Sequence, residues 1–392
     1  MTAGDTSRDV EQRPPDQWSR EPNPTRRPAL RRTLTVGVVL MLMLVSLLIL
    51  LGIVGNQLEA QVAVLATLMA LIPLVIIVPT YLWLDRYEAE PARYLVAAFA
   101  WGALIAVVGA FWLNTLGLRL LVEANWSDPL ESGAVYLAPI TEETLKGLGV
   151  FLIYLFRRHE FDGIIDGIVY AGLIGAGFAF SENILYLGQA YTEMGNEGLT
   201  ATFIVRGLMG PFGHPLFTSL TGIGIGIAVS SRRPAVRVLA IVGGWMAAVI
   251  LHGTWNLSAV AGIEGFLTAY FTYQVPLFVA FIGFLVWLRR REGRLIGQYL
   301  SPYADAGWLT HNEVAMLSHM RARSAARAWA RQHGGRAAKA SMAAFQDSAS
   351  DLALLRSRMV RGTAEADAPQ REMVLLQAIT EHRKDFIGTP VA

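Results

Sequence analysis

LTVGVVLMLMLVSLLILLGIV, residues Leu34–Val54, decides the fold class. No charged side chain interrupts it. About 20 apolar residues at 1.5 Å per residue cross the ~30 Å hydrocarbon core of a bilayer. Seven more such runs follow, at approximately Val62–Leu84, Tyr94–Leu116, Gly133–Phe156, Ile164–Leu187, Phe203–Val229, Val236–Val260 and Gly265–Leu288. The pattern predicts an all-α, polytopic membrane helical bundle of about eight transmembrane helices. Gly210-Pro211 and Gly213-His214-Pro215 interrupt the sixth run, which reads as a short outer segment followed by a helix. The first run is too long for a cleaved signal peptide, and a Pro- and charge-rich stretch precedes it.

Composition agrees. Hydrophobic residues make up 53% of the 392 and charged residues 16%, against about 25% charged in a globular protein. That excludes a disordered chain, a fibrous repeat and an ordinary soluble enzyme. There is no cysteine, so disulfides, thiolate nucleophiles and Cys-ligated metals are excluded. A net charge of +2 is too small to imply a nucleic-acid partner. All of the 33 basic residues except Arg119, Lys146 and Arg206 fall in the tails or in alternate loops. The positive-inside rule then puts both termini in the cytoplasm of a multi-pass protein. Three regions are expected: a disordered cytosolic tail over 1–33, a transmembrane domain over 34–288, and a cytosolic helical region over 289–392. The last has a basic excess that suits proximity to anionic headgroups.

Ionisable side chains within a span are expensive and mark function by default. Four adjacent spans hold nearly all of them. The fourth contains Glu142-Glu143-Thr144-Leu145-Lys146, with Lys146 within reach of both carboxylates on one helix face. An intrahelical ion pair would explain one glutamate but not two. The fifth contains Glu182 and Asn183 among glycines that suit close helix packing. The sixth contains His214. The seventh contains His252 and Asn256, which project from one face at i and i+4. Measured along the alternating helices, Glu142, Glu182, His214, His252 and Asn256 fall in one layer at or outward of the midplane.

Two imidazoles with a carboxylate are a ligand set for Zn²⁺. Such an ion lowers the pKa of water and polarises a carbonyl. A remaining glutamate takes the proton, and an amide steadies the oxyanion. The reading makes Glu142 the base and pairs Glu143 with Lys146. Glu182, His214 and His252 are metal ligands, and Asn183 and Asn256 are polar stabilisers. Which glutamate is base and which is ligand stays open here.

With these residues in view, the chain resembles the PrsW-type intramembrane metalloproteases of the CAAX-protease and bacteriocin-processing superfamily. Glu142-Glu143-x-x-Lys146, Phe178-x-x-x-Glu182-Asn183 and His252-x-x-x-Asn256 carry the resemblance. The segment Asp85-Arg86-Tyr87-Glu88-Ala89-Glu90-Pro91 is similar to an acidic Glu-Pro segment of such proteins. It covers about Leu82 to Leu288. It implies a multi-span protease of the bacterial plasma membrane that cuts membrane proteins or membrane-associated peptides. Some members act on anti-sigma factors at the extracytoplasmic side. Lys at a two-residue gap, and Glu182 where CAAX enzymes have His, favour the PrsW branch over prenylated substrates.

The rival from another class is a proton- or ion-coupled transporter or channel, which uses the same buried groups. No second copy of the Glu-Glu-x-x-Lys span argues for one. A scaffold acting through its cytosolic tail and a CAAX-type peptidase are further rivals. His311-Asn312-Glu313 with His319 lacks zinc-helix spacing. Thr221–Gly226 has glycines but no preceding strand, so helix packing explains it.

Overall fold

The computed structural model describes residues 26–157 and 161–387, and every regular element among them is helical. The tail expected over 1–33 lies outside the described residues as far as residue 25, and helix α1 (Arg26–Gln57) begins at the next position. The chain divides after Val45 into two units. In the first, α1 exposes Val38, Leu40 and Met41, as a lipid-facing helix does.

The second unit contains the rest. Helix α2 is Ala60–Leu84. Helix α3 (Ala92–Ala100), a π-helical turn (Trp101–Ala106) and α4 (Val107–Glu123) form one continuous rod. The short α5 (Pro129–Ser132) and a second π-turn (Gly133–Leu137) lead into α6 (Ala138–Phe156). Helix α7 (Ile164–Phe203) breaks at Gly195, whose φ of 61° only glycine adopts freely. A third π-turn (Ile204–Met209) and the Gly210-Pro211 corner precede α8 (Gly213–Val229). Then come α9 (Pro234–Val260), α10 (Gly262–Ala269), a fourth π-turn (Tyr270–Gln274) and α11 (Val275–Asp305). Helices α12 (His311–Leu317), α13 (Met320–Arg361) and α14 (Ala368–Ile387) complete the chain.

Six helical segments are long and apolar enough to cross a membrane, against about eight expected. The difference has two sources. The expected fifth and sixth spans, α7 and α8, follow each other around the Gly210-Pro211 corner with almost no loop, and together they form one apolar stretch over 164–229. The expected fourth, α6, carries Glu142, Glu143 and Lys146, too many charges to pass as simply apolar. The polytopic all-α bundle stands.

Helix α7 is the axis of the bundle. Ile168, Tyr170 and Ile174 are fully buried and pack with Ile77, Leu84, Val150, Ile225 and Leu288 from the helices around it. The surrounding helices turn Val64, Leu68, Val75, Val238, Leu239 and Ile250 outward, which is lipid-facing surface rather than an exposed core. Gly167 of α7 and Gly222 of α8 meet backbone to backbone, and a Cβ on either would overlap the other's carbonyl. The glycines at 222, 224 and 226 therefore serve close helix packing.

The acidic Glu-Pro segment is a staple. Tyr170 donates to Glu90 Oε2 at 2.5 Å, Glu90 N–H donates to Asp85 Oδ2 at 2.9 Å, and Tyr87 donates to the Ser318 carbonyl at 2.9 Å. It ties the end of α2 to α7 and to the C-terminal helices. Those helices have their own core of Ile296, Leu300, Leu317, Phe345, Leu352 and Ile379. The boundary expected at residue 289 falls inside α11, which runs unbroken from one core to the other.

Candidate active site

Helix α6 presents Glu142, Glu143 and Lys146 on one face, as the three- and four-residue spacing requires. Lys146 Nζ lies 2.8 Å from Glu143 Oε1 and 3.3 Å from Glu142 Oε2. It also lies 2.9 Å from His214 Nδ1 and 3.9 Å from the centre of the Phe178 ring. All three α6 side chains are buried. A buried ammonium is tolerable only with such partners, because an uncompensated charge costs several kcal/mol.

Glu143 is fully engaged. Its Oε2 accepts from Thr218 Oγ1 at 2.9 Å, and its Oε1 lies 3.0 Å from His252 Nδ1. That contact turns His252 Nε2 toward Glu142 Oε2, 3.9 Å away. An imidazole oriented through its other nitrogen by a carboxylate is the usual support of a metal-ligating histidine. Glu142 Oε1 has one long contact, 3.4 Å from Asn114 Nδ2 on α4. Asn114 in turn accepts from the Thr141 hydroxyl.

Glu182 lies on α7 beside His214, with Oε2 to Nε2 at 2.9 Å, and it forms an ion pair with Arg206. Arg206 Nε donates to Asn183 Oδ1 at 2.7 Å. His214 thus has both ring nitrogens in contact, one with Lys146 and one with Glu182. Its ring packs edge-on to His252 at 5.0 Å between centres. Asn256 is the exception among the expected residues. Its amide donates to the Ala134 carbonyl at 2.8 Å, tying α9 to the π-turn before α6.

The sequence reading missed Arg206, Thr218 and Asn114. Arg206 stood only as one of the few basic residues outside the tails and alternate loops. Thr218 had a usable signal, since it lies one turn beyond His214 on α8. Asn114 had one too, as a lone amide in an apolar span. The histidines of the C-terminal helices have partners of their own. His319 Nδ1 lies 3.0 Å from the Ala315 carbonyl, and His311 makes an exposed contact with Asp305.

Among the described residues, one group of three metal-type donors converges: Glu142, His214 and His252, with one ligand atom from each within 4.8 Å of the others. Donors on a tetrahedral Zn²⁺ with ~2.1 Å bonds lie about 3.4 Å apart, so small side-chain rotations would close this shell. The charges also suit a cation. Among the described residues, the three carboxylates Glu142, Glu143 and Glu182 form ion pairs with two permanently cationic side chains, Lys146 and Arg206. A cleft of about 20 Å³, room for about one water, lies against His214 and is lined by Asn183, Arg206, Pro211 and Trp255.

Residues 90–283 match the profile described as PrsW family intramembrane metalloprotease. A protein named Protease PrsW from Geobacillus kaustophilus is 32% identical over 152 residues, covering 38% of this chain and 61% of the relative. Protease PrsW of Oceanobacillus iheyensis is 27% identical over 200 residues, 51% of this chain and 85% of the relative. Protease PrsW of Bacillus subtilis is 27% identical over 214 residues, 54% of this chain and 85% of the relative. No solved structure gives a significant match. The matched segment runs from Glu90 of the staple to the last span and encloses every residue of the polar cluster, so through residues 90–283 the chain belongs to the PrsW family of intramembrane metalloproteases.

Proposed function

We propose that the protein is a metal-dependent endopeptidase that hydrolyses peptide bonds of membrane-embedded or membrane-associated proteins, regulators of the anti-sigma-factor kind among them. The observation that carries this reading is the convergence of Glu142, His214 and His252 inside an otherwise apolar bundle. A divalent ion held by these three, with Zn²⁺ the best match to the donors, would supply a water of lowered pKa and polarise the scissile carbonyl.

The chain's own residues do the rest. Glu143 holds the His252 ring and, with Thr218 and Lys146, keeps it in place. Glu182 receives the water's proton and returns it to the leaving amine. Its neighbour Arg206 and the amide of Asn183 border the cleft, placed to hold the developing oxyanion. Asn256 acts from a distance, by fixing α9 against Ala134. This exchanges the roles expected for Glu142 and Glu182, because Glu142 rather than Glu182 lies within ligand reach of both histidines. Both termini are assigned to the cytoplasm from the basic asymmetry.

The test is a pair of variants. Glu142→Gln is expected to lose both bound metal and cleavage. Glu182→Gln, which keeps a contact to His214 Nε2 and removes only the charge, is expected to lose far less metal than Glu142→Gln while its turnover falls at least ~100-fold. Metal content by mass spectrometry, beside cleavage of a single-span reporter, reads both. Full cleavage by both variants overturns the protease reading.

One observation favours a metal-free variant of the same chemistry. Lys146 already contacts Glu142, Glu143 and His214, so a cation is present at the donors. Cleavage that survives exhaustive chelation would select that variant, with Glu142 as the base.

A further inference from the structure

A pocket of about 620 Å³ opens where the membrane helices meet the C-terminal helices. Its walls come from the end of α2, from α11, and from the turn between α12 and α13. Arg289, Arg290, Arg294 and Arg321 line it together with His319, and no described carboxylate does. Glu292 lies among these arginines in sequence but faces round the helix into a separate cavity, with Asp162 and Asp166. Arg290, Arg294 and Arg321 are exposed and form no ion pair with a described carboxylate. Arg289 stacks over the Trp83 ring at 4.0 Å. So many like charges in one concavity repel one another unless an anion joins them.

The position of the pocket says which anion. The apolar stretch of α2 ends at Leu84, and that of α11 ends at Leu288. Trp83 and Val286 therefore form the apolar wall, with the arginines beyond it. Aromatic and basic side chains at the ends of spans mark the headgroup layer. Guanidinium forks match phosphate oxygens in geometry as well as charge.

We propose that this pocket binds the phosphodiester headgroup of an acidic phospholipid and so holds the C-terminal helices to the membrane surface. A soluble phosphate offers the same oxygens, but only a lipid also covers the Trp83–Val286 wall. The proposal is independent of the proteolytic reading.

Full-length protein in detergent is supplied with phosphatidylglycerol or phosphatidylcholine, and bound lipid is counted by native mass spectrometry. Wild type is expected to retain phosphatidylglycerol about tenfold better. The triple variant Arg290→Gln, Arg294→Gln, Arg321→Gln is expected to lose that preference. A control with the same charge loss at exposed sites elsewhere on α13, Arg331→Gln, Arg336→Gln, Lys339→Gln, is expected to keep it. Equal behaviour of the two triples, or no preference in wild type, overturns the proposal. Inorganic phosphate that displaces the lipid at millimolar concentration reassigns the pocket to a soluble ligand and overturns it as well. If the first triple does not elute as a single species, Arg321→Gln alone is read instead. An unchanged preference there is equally fatal.

Discussion

Glu143 shows what a single residue does in this site. It touches Lys146, Thr218 and His252, and it is wholly buried. Glu143→Gln keeps the shape and removes the charge. Metal affinity is expected to fall by ~10- to 100-fold with the fold retained, because the supporting carboxylate of His252 is lost. A zinc titration against wild type checks this. Lys146→Met is the harsher change. It strands buried carboxylates and is expected to cost about 3–5 kcal/mol. Adding Glu143→Gln to it should recover part of that loss, and thermal unfolding of the four proteins in detergent measures the coupling. The Glu142-Glu143-x-x-Lys146 contacts were legible in sequence, because helix spacing alone fixes them. The partners from other helices were not. Nothing in the local pattern says that Arg206, near a broken corner, turns back onto Glu182, or that Asn256 turns away from His252's neighbours to Ala134.

Among elements, the α7–α8 contact sets how closely Glu182 and His214 approach. Gly222→Ala puts a methyl against the Gly167 carbonyl, where rigid backbone cannot yield. A loss of ~1–3 kcal/mol is expected, with reduced metal binding as His214 shifts. Thermal unfolding and metal content together test it. Gly210→Ala acts differently, because its Cβ meets the outer edge of the Trp255 side chain beside the cleft rather than another helix's backbone. That variant is expected to fold normally and to cleave more slowly, so unchanged turnover would argue against the corner as part of the substrate path. The helices themselves were readable from apolar length. Each of the eight expected runs falls on a helix, although α6 carries three charges and α7 continues past the expected end of its span.

At the scale of the whole molecule, the staple at Asp85 links stability to pH. Asp85 is buried just beyond α2, and desolvation raises its pKa to about 7 although it accepts a hydrogen bond from the Glu90 amide. The unfolded chain gives up this proton near 3.8, and the folded protein keeps it until about 7. Asp85 therefore favours the folded state below the lower value, and that contribution is lost as pH rises to the upper one. Asp85→Asn, which still accepts from Glu90, is expected to raise the melting temperature relative to wild type at pH 8 and to match it near pH 4. A difference that does not change with pH would exclude the linkage. The staple was visible in sequence only as an acidic motif, since its partners Tyr170 and Ser318 lie far along the chain. Helix α11 has a mechanical consequence. Its 31 residues form one stiff strut, about 46 Å long, with its lower part in lipid and its upper part in the C-terminal core. With no hinge between the two, leaning the buried part by about 10°, as a thinner or thicker bilayer does, swings the far end through roughly 8 Å. The C-terminal helices ride on a lever whose fulcrum is the membrane itself.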